Sequence, residues 1–490
     1  MDPRRSSGSV IPSRINRGIN STTAFLYIHN PPSRRMMGNQ EKPSPSPEAE
    51  SQRNPSPSEE APDGGYGWVV TTSVAIVNGH SWGISAAYSV FLAHYIKEGT
   101  FPGATALMYA TVGSLSIGVT MLISPLVTIF VREIGTRPTM LIGAVLQALS
   151  LVCASLSTKI WHLFLSQGVL FGIGMGLLFL SSYGIISQWF TKRRALANGI
   201  AIAGAGLGGL TYSLAVGAMI RTMSLEWAYR IVAIVSAVVN IVCSLLIKTR
   251  YGATGARQLA FDTSLLKRKE YLWILGFGAF SMLGYFVLIF TLANYANVIG
   301  LNSSKASMIP AFFMLGQAIG RPCLGWLSDR YGRLNITTLM TFMTGVFSLA
   351  IWVNAKTFGV LITFALVGGL SAGIFWVNAA PVIVEVMGIE NLASGLSILW
   401  VAMVIPSTFS EPIVVEIYLG TGSYLGAQLF TGFMFVAASL CMLVVRGWQI
   451  NRGRRNDDGT FTCFGGNGGE RKEAGQKTVS LRKCFKWEKV

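Results

Sequence analysis

Charge is what this chain has least of. Only 12% of its 490 residues are Asp, Glu, Lys or Arg, against about 25% in ordinary soluble domains. A soluble fold of this size does not need 51% apolar residues, so that class is excluded. Cysteine is sparse as well: Cys153, Cys243, Cys323 and Cys441 lie inside apolar runs, and Cys463 and Cys484 lie near the end. Their spacing fits neither a metal-ligand set nor a disulfide framework, and no metal site is expected. His29, His80, His94 and His162 form no motif with carboxylates or cysteines, so a membrane-embedded enzyme lacks a catalytic grouping. A phosphate-binding P-loop is missing, and no sustained apolar segment precedes the first long run, which argues against a cleaved signal peptide.

What the chain does have is long runs without a charge, such as Met140 to Thr158, Leu163 to Phe190 and Phe358 to Val384. Each approaches or exceeds the roughly 20 residues that cross a bilayer as a helix. Twelve spans are expected, beginning near residues 66, 104, 138, 161, 195, 226, 271, 304, 334, 358, 391 and 422. The fold class is an all-α membrane protein with two six-helix halves. Residues 1–62, rich in Ser, Pro, Arg and Glu, form a disordered cytosolic tail. The halves are 63–249 and 271–446, joined by a basic cytosolic linker, 250–270, and followed by a Gly-rich cytosolic tail, 447–490.

The net charge of +17 would suit nucleic acid in a soluble protein, but here its location matters more than its sum. Loops on the N-terminal side carry thirteen lysines and arginines, including Arg132, Lys192, Arg193, Arg330 and Arg333. The opposite loops and helix ends carry six, including Lys97, Lys159 and Lys305. The positive-inside rule then places both termini in the cytosol, and no nucleic-acid partner is expected. A shift of 197 residues lays Gly135 on Gly332, Lys159 on Lys356, Gly172 on Gly369 and Gly176 on Gly373, which suggests an internal repeat.

The segment Ala203-Gly204-Ala205-Gly206-Leu207-Gly208-Gly209 matches the spacing of a dinucleotide fingerprint, yet no strand precedes it. Gly204 and Gly208 share one face of a membrane helix, as Gly168, Gly172 and Gly176 do in the span before. The reading is close helix packing, with no cofactor.

Gly325-Trp326-Leu327-Ser328-Asp329-Arg330-Tyr331-Gly332-Arg333 resembles the loop signature of the major facilitator superfamily. Pro62-Asp63-Gly64-Gly65-Tyr66-Gly67-Trp68 resembles the leading signature of its monocarboxylate transporter family. The second family signature is recognisable in Trp189-Phe190-Thr191-Lys192-Arg193-Arg194-Ala195-Leu196-Ala197-Asn198-Gly199, and the whole looks most like the fungal branch. Asp63 with Gly64, Gly65 and Trp68 reads as a cap, tight entry and interface anchor at the first helix, with a role in the transport cycle as the alternative. Lys192 and Arg193 read as topogenic charges or as part of the conformational motif. Asp329, Arg330 and Arg333 are implied by the resemblance to form a conformational latch.

Arg321, between Gly320 and Pro322, matches the arginine that the family uses for an anionic substrate, and a buried charge of this kind faces a cavity or a partner; the alternative is a structural arginine paired with helix carbonyls or with an acid near the inner end. Two departures follow. The acid that many members place four residues earlier is Gln317 here, and the lysine that proton-linked members carry in the first span falls on Ala86. Proton-lactate symport is therefore not expected. Gln317, Tyr295 and Trp376 join Arg321 as candidate substrate contacts, and Glu411 and His80 are coupling candidates should protons drive the cycle. Trp82, Tyr88, Tyr285, Phe375 and Trp400 offer further aromatic surface within spans. The function expected is secondary active transport of a small organic solute by alternating access in a lipid bilayer, most simply the plasma membrane. Export of a metabolite or porting of an organic anion leads, and uptake of a carboxylate or vitamin-like nutrient, or a non-transporting sensor, is the alternative.

Overall fold

The computed structural model describes residues 61–250 and 261–457, and the expectations for the remainder of both tails and of the linker lie outside them. Among the described residues every regular element is a helix. Twelve rods follow one another: α1 (Tyr66–Glu98), α2 (Ala106–Leu122 continued by Ser124–Ile134), α3 (Thr136–Ser155), α4 (Ile160–Trp189), α5 (Arg194–Thr222) and α6 (Leu225–Leu246) come first. After a short 3-10 turn at Thr263–Lys267 come α7 (Lys269–Val298), α8 (Ser303–Tyr331), α9 (Arg333–Trp352), α10 (Phe358–Met387), α11 (Leu392–Thr421) and α12 (Leu425–Asp457). Every rod starts within three residues of the expected position.

Nine of these rods are long and apolar enough to cross a membrane, and α2, bent by 49° at Ile123, makes a tenth. The other two, α1 and α8, are long enough, at 33 and 29 residues, but are diluted by polar positions such as Asn78, His80 and Ser81 on α1 and Gln317 and Arg321 on α8. Outward faces are apolar: Leu214, Ile234, Ile405 and Leu419 are each more than 60% exposed. That surface suits lipid and would aggregate in water. One boundary moves, because α12 continues past residue 446 to Asp457, held by burial of Ile450 and by Arg452 over the Trp448 ring.

The helices approach so closely that backbone touches backbone. A Cβ on Gly204 would strike the Ala75 carbonyl, and one on Gly208 would strike Gly79, so α5 lies directly on α1. Gly172 does the same for α4 on α2 against the Ser116 carbonyl, while Gly168 and Gly176 make room for the Leu115 and Ile123 side chains. The 197-residue offset recurs in this packing: Gly172 faces the Ser116 carbonyl, and its counterpart Gly369 faces the Phe313 carbonyl, the counterpart of Ser116. Gly135 and Gly332 both turn the chain at positive φ, 89° and 98°, where a side chain would be strained. Gly199 and Gly206 of α5 and Gly325 of α8 bring those two helices into the same kind of contact. The end of the bundle that carries Asp63, Lys192 and Arg333 is called the basic end below.

Candidate functional site

Pro322 cannot donate to the carbonyl a turn before it, and Gly320 lets α10 press against α8, so the backbone around Arg321 is both loosened and enclosed. The Arg321 side chain is 4% exposed. Its Nη1 donates to the Ile202 carbonyl of α5 at 2.7 Å, and its Nη2 donates to the Tyr285 hydroxyl of α7 at 3.1 Å and to Gln317 Oε1. Tyr285 in turn donates to Gln317 Oε1 at 2.8 Å. Arg321 Nε has no partner, and among the described residues no carboxylate pairs with this guanidinium. A desolvated cation held only by neutral oxygens is an incomplete arrangement, since a buried charge ordinarily recovers its desolvation cost from an opposite one.

Next to it lies an aromatic cluster. Trp376 of α10 and Trp400 of α11 stack at 5.6 Å and 20°, Trp82 of α1 meets Trp376 edge-on at 5.3 Å, and Phe179 of α4 contacts Trp82 and Trp400 at 5.2 and 5.6 Å. Tyr285 joins the arginine to the cluster, 6.0 Å from the Trp376 ring. Trp376 Nε1 is buried without a partner.

The backbone under Trp376 explains how its ring is positioned. The two pieces of α10 meet at Gly373, where any Cβ would crowd the Arg321 side chain. Pro381 has no N–H to give Val377, and that freed carbonyl accepts from Asn198 Nδ2 of α5 at 2.6 Å. The Trp376 carbonyl accepts from the Tyr183 hydroxyl of α4 at 2.7 Å and from the same Asn198 at 3.3 Å. The ring is thus pinned by two residues from the first half of the chain. Tyr183, Asn198 and Phe179 complete the group and were not among the candidates, and Tyr285 was among them only as aromatic surface. The clue available was Pro381, which signals a carbonyl in need of a donor.

The other candidates fall elsewhere. Tyr295 lies ten residues beyond Tyr285 on α7, about 15 Å at the rise of a helix, and donates to the Ala355 carbonyl at 3.1 Å beside Trp352 and Tyr424. It is part of the packing at the opposite end, and Tyr285 takes its place beside Arg321. His80 is edge-on to Tyr212 at 5.5 Å, about 200° around α1 from Trp82, so it faces away from the cluster. Glu411 is half-buried on α11, eleven residues or about three turns beyond Trp400, which puts it on the Trp400 face towards the opposite end.

At the basic end the signature segments dock on one another. Asp63, in a left-handed conformation at φ 48°, does not cap its own helix: the residue at the cap position of α1 is Gly65, and no side chain bonds there. Its Oδ1 instead accepts from the amides of Thr191 and Lys192 at 2.8 Å and of Arg193 at 3.3 Å, ahead of α5. The reason is geometric, because Gly64 and Gly65 turn the chain so that Trp68 packs on Phe190 at 4.9 Å and Tyr66 on Trp189 at 5.8 Å. Lys192 and Arg193 contribute their amides here, while their side chains are exposed. Asp329, at the end of α8, accepts from two amides in the first turn of α5, Ala195 at 3.1 Å and Leu196 at 2.8 Å. Arg333 donates to Asp329 at 3.0 Å and to the Thr191 carbonyl at 2.7 Å, with Glu385 at 3.8 Å. Arg330 is not part of this group. It lies over the Trp326 and Tyr331 rings on the exposed side.

A model of the Major Facilitator Superfamily matches residues 70–307 and 272–462. The chain is 29% identical over 401 residues to "Probable transporter MCH2" of Saccharomyces cerevisiae, covering 80% of this chain and 85% of that one. It is 31% identical to "Uncharacterized transporter ESBP6" of the same yeast, covering 79% of this chain and 60% of that one. It is 26% identical to "Monocarboxylate transporter 13" of Rattus norvegicus, covering 78% and 89%. Among solved structures, the transporter FucP, crystallised in an outward conformation, superposes with a TM-score of 0.59 at 14% identity, over 77% of this chain and 99% of that one, which shows a shared fold. None of these proteins belongs to a catalytic family. The family model spans most of the chain and the helical architecture agrees with it, so this multi-pass membrane transporter belongs to the Major Facilitator Superfamily.

Proposed function

We propose that the protein moves a small organic solute with an anionic end, as an exporter or organic-anion porter, by alternating access in the plasma membrane with both termini cytosolic. The single observation that carries this reading is Arg321: buried, without a carboxylate partner, with Nε unbonded and an indole stack beside it. A solute carboxylate supplies the missing counter-charge, and the indoles hold its apolar part. Gln317 and Tyr285 orient the guanidinium but cannot exchange a proton with it near neutral pH, which fits a cycle unlike proton-lactate symport. With Asp63, Asp329 and Arg333 drawn onto the start of α5, the path is closed at the cytosolic end. The two halves, 63–249 and 271–446, rock about the central group to open it.

The test is flux into liposomes. Purified protein reconstituted and exposed to a small-molecule extract of the native cells should accumulate or exchange a restricted set of anionic solutes, read by mass spectrometry. Folded Arg321→Ala protein should move none of them. Wild-type flux in that variant, or no flux in the wild type, removes this reading.

A further inference from the structure

From Trp400 towards the basic end, α2, α4 and α11, with Ile389 just before α11, line a partly open cavity of about 40 Å³. A water needs roughly 10–15 Å³ of such space, so this one takes two or three waters, or one carbonyl or hydroxyl group of a larger molecule. Three of its lining side chains, Ser181 and Gln188 of α4 and Ser397 of α11, are at most 3% exposed. Ser181 Oγ, Gln188 Nε2 and Ser397 Oγ have no hydrogen-bond partner.

Other buried atoms in this protein, Ser281 Oγ among them, also lack a partner, but these three share one cavity. A serine in a membrane helix normally bonds back to its own helix, as Ser182 does to the Phe179 carbonyl at 3.0 Å and Ser407 to Met403 at 2.6 Å. Ser181 and Ser397 do not, although each has such a neighbour on its own helix. Gln188 is held from one side only: its Oε1 accepts from the Arg250 amide at 2.8 Å, which leaves Nε2 as the open end. No charged residue lines the cavity, and Val127 and Leu396 make apolar wall, so neither an ion nor a metal fits it.

We propose that Ser181, Gln188 and Ser397 form a second, uncharged subsite that receives a neutral carbonyl or hydroxyl group of the transported solute on the cytosolic side of Trp400. This rests on the transport reading above. It narrows the solute class: an anionic end for Arg321, an apolar or aromatic middle for the indoles, and a neutral hydrogen-bonding group for the subsite. A short-chain monocarboxylate has no part to place there.

The test is the double variant Ser181→Ala/Ser397→Ala in the same liposome assay with the native-cell extract. Neither hydroxyl makes a bond within the protein, so thermal unfolding of the purified variant should be no lower than wild type. Its flux of the solutes carried by the wild type should fall at least about tenfold, as expected when hydrogen bonds to a buried solute group are lost. Unchanged flux would show that the cavity holds water only and would overturn the subsite while leaving transport standing. A clearly lowered unfolding temperature would make the hydroxyls structural and also overturn it. Absence of wild-type flux removes the transport reading and the subsite together. Should the double variant fail to reach the membrane, Ser397→Cys in a background without other cysteines, treated with N-ethylmaleimide, gives the same decision: transport must stop on alkylation, and alkylation with flux intact overturns the proposal.

Discussion

Asp63 and Asp329, 266 positions apart in sequence, accept from amides on either side of Arg194, where α5 starts. The first comes from the entry to α1 and the second from the end of α8. A helix start presents unpaired N–H groups and the positive end of its dipole, so two carboxylates complete it. Of the two carboxylates only Asp329 joins the first half of the chain to the second, and its contact, with that of Arg333 to the Thr191 carbonyl, must break if the halves part at this end.

Asp329→Ala should therefore destabilise the closed basic end by about 1–3 kcal/mol, because two amides lose their acceptor and Arg333 loses one of its partners. That shifts the closed-to-open ratio by roughly 5- to 150-fold. A cysteine at Ala195, buried in the α5–α8 contact, should become several-fold more reactive to an impermeant thiol reagent applied from the basic end. Asp63→Ala should lower thermal stability by about 0.5–2 kcal/mol with little change in that reactivity, since it removes a cap within one half. Equal labelling in both variants would contradict the division of roles.

The bond between Asn198 and the Val377 carbonyl exists because Pro381 cannot donate. Asn198→Ala should cost about 1–3 kcal/mol by leaving that carbonyl unsatisfied. Adding Pro381→Ala restores a helical donor, so the double variant should be more stable than Asn198→Ala alone. Unfolding midpoints of the four proteins in detergent give the coupling, and strictly additive values would show that Asn198 and Pro381 act independently.

Two glycine substitutions should have opposite signs. Gly204→Val drives a side chain into the Ala75 carbonyl, so α1 and α5 must separate and folded yield should collapse. Gly217→Ala meets nothing closer than the Arg221 guanidinium at 3.5 Å and should be neutral or stabilise by up to about 1 kcal/mol through helix propensity. Size-exclusion profiles and thermal midpoints check both.

The sequence made the helix starts legible because charged Gly-containing turns interrupt apolar runs, and it made the close helix contacts legible because glycines four apart must share a face. It could not say which helix Asp63 would cap, since that depends on where Trp68 and Phe190 pack. Nor could it choose Tyr285 over Tyr295: both sit on α7, and only the crossing of α7 with α8 decides which depth meets Arg321. Ser181, Gln188 and Ser397 were silent for a different reason. Small polar residues abound in these spans, and only the missing partner together with the shared cavity sets these three apart.

Coupling to protons is carried by Glu411 if by any acid on the central path. It lies on the Trp400 face of α11, half-buried, and among the described residues it has no ion-pair partner, so nothing fixes its charge state through the cycle. His80, turned towards Tyr212, is the control. Glu411→Gln keeps size and hydrogen bonding but cannot lose a proton. In liposomes with an imposed pH gradient, this variant should no longer accumulate the solute above equilibrium, whereas exchange of labelled for unlabelled solute should continue, because exchange moves no net proton. His80→Gln should leave both activities unchanged. Gradient-driven accumulation that survives Glu411→Gln would exclude the carboxylate as proton carrier and leave transport driven by the solute gradient or by another ion.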